Sequence, residues 1–409
     1  MHVSDHRLGT LEFELSWQCA LAAHCERYLA RRVNFWRDVF PPGLRRALEG
    51  LRVGENATLS YGPGQAVPPC STRRIHTVDR RDFRAPAIAD RIVTPATGRH
   101  LPLSLFGNLP GVFGNDARPG RITSMDDTTM TVDANHPLSP FELTVSASVL
   151  NLAEKNGDTG GRLTHWMEAM CDFGPGMQAR DDQRPALDGG DALARLDETP
   201  DTAFYGAPRL VDHVDAQARE HLATLMGEAV EPGMRVLDLM SGWRTHLPQE
   251  LVHEQDVRIT ALGLNAEEMA ANPLPAERLV HDLNADPRIP LPDASFDAVL
   301  CALSVEYLTQ PRRIMAEAAR VLRPGGAMVI GLSDRWFPTK VTRLWPDLHE
   351  FERTGLAMDW LADTGAFEDM QTVSVRNWWR PTDDPHIRQT WTSDPVHVIS
   401  AARKAAPAA

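Results

Sequence analysis

The chain has 409 residues, which is long for one hydrophobic core and favours two domains. Its hydrophobic fraction of 43% and charged fraction of 24% are those of a globular protein, and its formal net charge of -13 argues against a nucleic-acid partner. No apolar stretch approaches the roughly 20 residues of a membrane-spanning helix, and the N-terminus lacks a signal-peptide pattern. We therefore expect a cytoplasmic protein with no membrane partner.

The cysteine pattern points to free thiols. The chain has five cysteines, an odd number, and they are scattered along the sequence with no C-x-x-C pair. Such spacing predicts neither a disulfide framework nor a structural zinc site, so we predict no metal.

Two segments are distinctive in the N-terminal half. Residues 42–55 (PGLRRALEGLRVGE) combine a short helical run with a Gly-Glu turn before a predicted strand at 57–61. Residues 131–138 (TVDANHPL) precede a partly alternating strand at 141–152. Together they resemble the FKBP-type peptidyl-prolyl isomerases of the SlyD-like kind. The resemblance implies an α+β FKBP-like domain over residues 1–155, with an inserted flap subdomain at 68–118.

The N-terminal half also departs from that family. Residues 24–40 have the spacing of an amphipathic helix where the family carries a strand. The family's Ala-Tyr-Gly is Ala66-Val67-Pro68 here, so the tyrosine of the isomerase pocket is lost. We therefore predict that this domain does not isomerise prolines.

A joining region separates the two halves. Residues 156–161 and 179–201 are rich in Gly, Asp and other polar residues, while residues 163–170 have a short helical pattern. We predict a linker over residues 156–203 between the FKBP-like domain and a second domain at 204–409.

Strands and helices alternate through the C-terminal half. An entry helix is predicted from Leu210 to the turn at Pro232-Gly233, and the predicted strands and helices follow it. The strands are 234–239, 259–264, 278–282, 296–303 and 327–332 with a closing pair at 370–375 and 396–401. The helices are 312–322 and 348–364, with another that starts over 266–271. This order predicts an α/β, doubly wound, seven-stranded, Rossmann-like sheet that binds its ligand at the carboxyl ends of its strands.

Three motifs mark this half. Residues 236–243 (VLDLMSGW), 295–300 (SFDAVL) and 322–326 (LRPGG) occur in the order and at the distances found in the class I S-adenosylmethionine (SAM)-dependent methyltransferases, which the chain resembles from about residue 200 to 404. Residues 263–266 (GLNA) and 333–340 (SDRWFPTK) resemble a methyltransferase-like group of bacteria and plastids in which this cofactor loop is altered. The resemblance implies an enzyme with SAM as its cofactor.

The turn after the first strand of this half is the expected cofactor loop. Ser241 and Gly242 are small enough for a cofactor to approach the backbone, whereas Met240 stands where the family has glycine. The resemblance implies that Asp238 organises the methionine end of SAM. Trp243 either packs over the cofactor or wedges the following helix against the sheet.

The ribose and adenine sites are also implied by the resemblance. Gly263 falls where the family has an acidic ribose ligand, and Asn265 is either a substitute ligand or the N-cap of the next helix. Asp282 matches the position that commonly bonds the adenine amino group, with the backbone of Leu283 beside it.

Methyl transfer depends largely on placement, and it needs a general base only when the acceptor is protonated. Glu306 and Tyr307 follow the fourth strand, where an acceptor is expected, and Tyr205 and His213 are predicted to cover the site from the entry helix. Each is a catalytic candidate with packing or surface exposure as the alternative.

Our leading hypothesis is methyl transfer from SAM to a small molecule, or to a protein, with the FKBP-like domain shaping the site or docking a partner. The alternative is a polypeptide-binding protein or chaperone whose second half senses SAM or is inactive. The sequence does not identify the acceptor atom.

Overall fold

The computed structural model describes residues 1–88, 91–157, 162–178, 184–185, 187 and 189–405. These residues form two compact units, Met1–Leu187 and Asp188–Ala409, and the boundary falls inside the segment 156–203 that we predict to be a linker. Within that segment, residues 158–161, 179–183, 186 and 188 lie outside the described residues, as do residues 406–409 of the tail. Across the described ranges, no helix is long and apolar enough to cross a membrane.

The first unit consists of two main antiparallel sheets. Its elements are β1 (Arg7–Gln18), β2 (Ala22–Asn34), α1 (Leu44–Leu48), β3 (Asn56–Tyr61), β4 (Ile75–Asp79), β5 (Ala87–Ile88), β6 (Arg91–Ile92), β7 (His100–Pro102), β8 (Pro119–Met125), β9 (Thr129–Asp133), β10 (Leu143–Glu154) and α2 (Trp166–Cys171). One sheet has the order β2-β1-β10-β3, and the other, β4-β9-β8-β7, is inserted between β3 and β10. Helix α1 contacts β3, and α2 contributes side chains to the core of this unit.

The predicted helix at residues 24–40 is wrong, because most of this segment is strand β2, paired with β1 from Leu8–Asn34 to Gln18–Ala23. Alternating burial is clear at the start of β2, where His24 and Glu26 point inward. It is then interrupted by a register shift and a left-handed backbone at Arg32 (φ 57°). This irregularity gives the apolar residues a helix-like spacing in a segment that is extended.

The second unit consists of one seven-stranded sheet and its helices. Its elements are α3 (Asp201–Phe204), α4 (Ala216–Gly227), β11 (Arg235–Leu239), α5 (Gln249–His253), β12 (Arg258–Gly263), α6 (Ala266–Ala271), β13 (Glu277–Val280), β14 (Phe296–Ala302), α7 (Pro311–Val321), β15 (Leu322–Leu332), α8 (Glu350–Asp363), β16 (Phe367–Arg376) and β17 (Val396–Arg403). The strand order is β13-β12-β11-β14-β15-β17-β16. Strands β11 to β15 pair in parallel and β17 is antiparallel to both neighbours, which confirms the predicted Rossmann-like sheet.

The central strands explain why this unit folds as a covered sheet. Val236 and Leu237 on β11, and Val299 and Leu300 on β14, are almost completely inaccessible to solvent. Continuous apolar strands of this kind are buried on both faces, as expected for parallel strands joined by helices. The carboxyl ends of β11, β12 and β14 therefore meet at one edge of the sheet.

The entry helix begins later than predicted. Helix α4 starts at Ala216, because the carboxylate of Asp215 caps it by accepting hydrogen bonds from the backbone amides of Gln217 (2.9 Å) and Ala218 (3.1 Å). Leu210 and Val211, which suggested an earlier start, are more than half exposed. The prediction that Tyr205 and His213 lie on this helix is therefore wrong: Tyr205 follows α3, and His213 lies in the segment before α4.

Candidate active site

A cavity of about 290 Å³ lies in the second unit at the carboxyl ends of β11, β12 and β14. It brings together every residue predicted to bind the cofactor and three of the four catalytic candidates. These are Asp238, Ser241, Gly242, Trp243, Gly263, Asn265, Asp282 and Leu283, together with Tyr205, His213 and Tyr307. Glu306 does not line the cavity and lies buried next to Tyr307 in the sequence.

The loop after β11 is organised by the Asp238 carboxylate. It accepts hydrogen bonds from the hydroxyls of Ser241 (2.7 Å) and Thr245 (2.8 Å). Burial raises the pKa of Asp238 to about 6, although these two hydroxyls favour the ionised form. Met240 adopts the left-handed conformation (φ 55°), so the backbone keeps a shape that favours glycine where the resembled family has glycine.

Gly263 has a steric reason to be glycine. A Cβ atom at this position would lie 2.0 Å from the carbonyl oxygen of Ser241. The backbone amide of Ser241 also donates to the carbonyl of Leu262 at 2.9 Å. The end of β12 and the loop after β11 are thus in direct backbone contact, and an acidic side chain at position 263 does not fit.

The Asn265 amide caps helix α6. Its oxygen accepts hydrogen bonds from the amides of Glu267 (2.9 Å) and Glu268 (3.0 Å), and its nitrogen donates to the carbonyls of Tyr205 (2.8 Å) and Gly206 (3.3 Å). All four hydrogen-bonding positions of the amide are therefore in use. The structure shows the N-cap alternative, and a ribose-binding role for Asn265 stays a prediction.

Glu268 is a cavity carboxylate that the sequence analysis missed. One of its oxygens accepts a hydrogen bond from the backbone amide of Arg209 at 2.7 Å, and the other lies 3.3 Å from the position of a Cβ atom on Gly242. The only sequence signal was its place in the first turn after Asn265. It supplies an acid on the same side of the cavity as Gly242 and Gly263.

The segment after β13 forms a tight turn at the cavity. One carboxylate oxygen of Asp282 accepts hydrogen bonds from the backbone amides of Asn284 (3.0 Å) and Ala285 (3.1 Å). Leu283 is buried and lines the cavity beside it. The turn therefore holds one oxygen of the Asp282 carboxylate, and Asp282 lines the cavity.

Trp243 and Arg244 connect the cofactor loop to the segment before α4. The indole nitrogen of Trp243 donates to the carbonyl of Val211 at 2.8 Å, and Arg244 pairs with Asp212 at 2.5 Å. The guanidinium carbon of Arg244 lies 4.0 Å from the centroid of the Trp243 ring. These two residues border the cavity and do not fill it.

An aromatic rim, which we define as Phe204, Tyr205, Tyr307 and Phe337, lies at another part of the cavity, and all of these residues except Phe204 line it. Phe337 is its centre, with ring centroids 5.9 Å from Phe204 and 6.1 Å from both tyrosines. The hydroxyl of Tyr307 accepts a hydrogen bond from the backbone amide of Phe337 at 2.9 Å. The rim presents flat apolar surfaces next to the carboxyl end of β14.

Two histidines in the cavity have lowered pKa values. Burial lowers the pKa of His213 below its ordinary value and that of His246 to about 4. Both imidazoles are therefore neutral at pH 7, the state in which a nitrogen accepts a proton. Sequence analysis missed His246, because it lies beyond the cofactor loop with no pattern of its own.

Glu306 lies behind the rim. It is almost fully buried, and burial raises the pKa of its carboxyl to about 8. Its Oε2 atom has no hydrogen-bond partner within the part of the chain that the structure describes. The nearby Arg353 partly offsets the effect of burial. The side chain is therefore protonated at neutral pH.

A buried charge cluster supports the wall of the cavity at Asp201. This carboxylate is held by Arg195 at 2.7 Å and by Lys340 at 3.1 Å, and it accepts a hydrogen bond from the Asn284 amide at 2.8 Å. Lys340 has no solvent exposure. The cluster neutralises Asp201 and connects α3 to the segment after β15.

Comparison with known proteins supports these features. A family model described as a methyltransferase domain matches residues 241–330. The ubiquinone/menaquinone biosynthesis C-methyltransferase UbiE of Burkholderia cenocepacia is 28% identical over 149 residues, covering 34% of this chain and 57% of that protein. UbiE of Laribacter hongkongensis is 28% identical over 138 residues, and the match covers 32% of this chain and 54% of that protein. The chain thus spans little more than half the length of the curated relatives it matches.

A SAM-dependent methyltransferase of known structure from Aquifex aeolicus is 19% identical, with a TM-score of 0.32, and the match covers 46% of this chain and 94% of that one. The family match does not reach the first unit, so the FKBP-like interpretation of residues 1–155 stays a prediction. The matched residues, the strand order and the cavity at the strand ends agree with one another. The second unit of the chain therefore combines a Rossmann-like sheet with a match to a SAM-dependent methyltransferase domain over residues 241–330.

Proposed function

We propose that the protein transfers a methyl group from SAM to a small-molecule acceptor. The observation that carries this proposal is one cavity whose lining includes all the predicted cofactor residues together with Tyr205, Tyr307 and Phe337 of the aromatic rim. A volume of about 290 Å³ is close to the lower limit of the range for small-molecule sites.

We propose that different residues of the cavity bind the three parts of SAM. We propose that Asp238 and the backbone of the loop after β11 hold the methionine end of SAM, and that Glu268 accepts hydrogen bonds from the ribose hydroxyls. Asp282 and the backbone of Leu283 then hold the adenine. Two observations support Glu268: its carboxylate lies beside Gly242, and the Asn265 amide is already fully hydrogen-bonded.

SAM supplies an activated methyl group, so the remaining task of the protein is to place the acceptor and to manage its proton. We propose that the aromatic rim positions a flat acceptor. His213 is neutral and lines the cavity, so its imidazole is available to accept a proton from an acidic acceptor, whereas the pKa of about 4 makes His246 a weak proton acceptor. Glu306 is protonated at neutral pH, which makes it a weaker candidate for the base than His213.

We propose a docking or site-shaping role for the first unit. The support is its sequence resemblance to the SlyD-like FKBP-type proteins, in which such a domain binds polypeptide segments. Val67 stands where that family has a pocket tyrosine, and this argues against proline isomerisation.

Calorimetric titration with SAM and with S-adenosylhomocysteine tests the proposal. We expect micromolar binding, and we expect Asp282→Ala to weaken it by about 1–3 kcal/mol, because a polar partner of the adenine is lost. Asp286→Ala is the matched control, since Asp286 also accepts a backbone hydrogen bond, from Arg288, but does not line the cavity. Absence of binding at millimolar cofactor would overturn the proposed function and favour the alternative of a polypeptide-binding protein.

A further inference from the structure

The arginines of the cavity differ in their charge partners. Arg209, Arg219, Arg244 and Arg335 all line it. Arg219 and Arg244 both pair with Asp212, and Arg335 pairs with Asp394 at 3.0 Å. Arg209 has no ion pair with any carboxylate of the described chain. Among the four arginines that line the cavity, Arg209 is therefore the one without an ion pair in the described chain.

The guanidinium of Arg209 is held in a fixed place by aromatic rings. Its central carbon lies 4.5 Å from the ring centroid of Phe204, 5.3 Å from that of Phe337 and 5.7 Å from that of Tyr205. Its Nη2 atom donates to the carbonyl of Phe204 at 3.0 Å. Contacts between a cation and aromatic faces orient the group, but they do not satisfy its N–H donors.

One donor of this group has no partner. The Nη1 atom of Arg209 is buried and makes no hydrogen bond to any described residue. Leaving a buried donor on a charged group unsatisfied is costly, so the arrangement favours a ligand that supplies an acceptor. The planar guanidinium fork matches a carboxylate, which accepts two parallel hydrogen bonds.

We propose that Arg209 binds a carboxylate of the methyl acceptor, so that the substrate is a small molecule with a flat apolar body and a carboxylate group. The body contacts the aromatic rim, and the carboxylate meets Nη1. This inference rests on the proposed methyltransferase function and adds the substrate class to it.

The cofactor is the other source of a carboxylate in this cavity, because SAM carries one on its methionine end. The position of Arg209 favours the acceptor. Its guanidinium lies among the rings of the rim, whereas the cofactor loop contacts the same segment further along the chain, through Trp243 with Val211 and through Arg244 with Asp212. The experiment has to separate the two sources.

The first measurement is a calorimetric titration of the full-length protein, saturated with S-adenosylhomocysteine, with phenylacetate and with phenylacetamide. These two probes share the aromatic body and differ in charge. We expect the protein to bind phenylacetate at least tenfold more tightly than the amide. Arg209→Gln should abolish this preference, and Arg209→Lys should retain part of it. Arg288→Gln, which changes an exposed arginine outside the cavity, should leave the preference unchanged.

The second measurement compares S-adenosylhomocysteine with 5′-methylthioadenosine, which lacks the amino-acid tail and its carboxylate. We expect Arg209→Gln to change neither affinity more than twofold. A loss confined to S-adenosylhomocysteine would show that Arg209 binds the cofactor and would overturn the acceptor assignment. Equal binding of phenylacetate and phenylacetamide by the unsubstituted protein would also overturn it.

The failure of this inference is distinct from that of the proposed function. If S-adenosylhomocysteine binds while the carboxylate preference is absent, the methyltransferase proposal stands and the substrate class is wrong. If S-adenosylhomocysteine does not bind, the proposed function fails, and the titration without cofactor decides whether Arg209 binds carboxylates. If the protein does not bind phenylacetate more tightly than phenylacetamide in that cofactor-free titration, the inference about Arg209 is overturned as well.

Discussion

Gly263 and Ser241 are in backbone contact, at a distance that excludes any side chain at position 263. The Ser241 carbonyl oxygen would lie 2.0 Å from a Cβ atom there, and this oxygen belongs to the main chain, which cannot rotate away as a flexible side chain would. The contact sets the path of the loop after β11. It therefore couples the packing of two strands to the position of Ser241 and Gly242 in the cavity.

Gly263→Ala should displace this loop. We expect the free energy of unfolding to fall by about 1–3 kcal/mol, the usual cost of overpacking, and S-adenosylhomocysteine binding to weaken with it. Urea denaturation and calorimetry measure the two effects. Gly189→Ala is the control, because a Cβ atom there meets nothing within 4 Å. Unchanged stability and affinity in Gly263→Ala would show that the loop is not held by this contact.

Asp238 makes cofactor binding depend on pH. Burial raises the pKa of its carboxyl to about 6, so the fraction of charged Asp238 grows as the pH rises from 5 to 7. If Asp238 holds the positively charged methionine end, affinity for S-adenosylhomocysteine should increase over this range. Asp238→Asn should bind more weakly at pH 7 and lose this increase. A pH profile that is identical in the two proteins would exclude Asp238 as the responsible group.

Because of Glu306, the free energy of unfolding should decrease as the pH rises. An ion-paired acid has the opposite effect. Because burial raises its folded pKa to about 8, the folded state binds the proton more tightly than the unfolded state. Stability is therefore complete below the ordinary pKa of glutamate and is lost as the pH rises toward 8 and above.

Glu306→Gln removes this loss. At pH 9 we expect the variant to be more stable than the unsubstituted protein by about 2–4 kcal/mol, and at pH 5 the difference should be small. Denaturant unfolding at the two pH values measures both, with the exposed Glu368→Gln as the control. A gain in stability that is equal at pH 5 and pH 9 would show that titration of Glu306 is not the cause.

The fold of the second unit could be predicted because its strands are continuous apolar runs separated by turn residues. Helix α6 begins at Ala266 as predicted, since Asn265 is a strong N-cap and the following residues favour helix. Strand β2 was missed because the irregularity near Arg32 breaks the alternation that identifies a strand. The spacing of apolar residues therefore predicts secondary structure correctly where the backbone is regular, and it fails at a β-bulge.

The same reasoning explains which site residues could be found. Asp238, Gly242 and Asp282 follow strands whose carboxyl ends must meet, so their convergence follows from the topology. Arg209 and Glu268 reach the cavity through the path of the segment before α4 and through one turn of α6. That path depends on contacts between distant residues, such as Asn265 with Tyr205, and no sequence pattern encodes it.

Substitution of Lys340 tests how the buried charge cluster around Asp201 supports the cavity wall. Its ammonium donates to the carbonyls of Asp197 (3.0 Å) and Thr199 and lies 3.1 Å from the Asp201 carboxylate. Lys340→Met keeps most of the side-chain volume but leaves these acceptors without their donor. We expect the free energy of unfolding to fall by about 3–5 kcal/mol, because one partner of a buried ion pair is removed.

The control for Lys340→Met is Lys404→Met, which removes the charge of an exposed lysine and should change stability by less than about 0.5 kcal/mol. The double variant Lys340→Met with Asp201→Asn should recover part of the loss, since it neutralises the Asp201 carboxylate that has lost one of its two cations. Additive losses in this cycle would mean that the two groups do not interact. In that case the stability of the wall would come from Arg195, which also pairs with Asp201 at 2.7 Å.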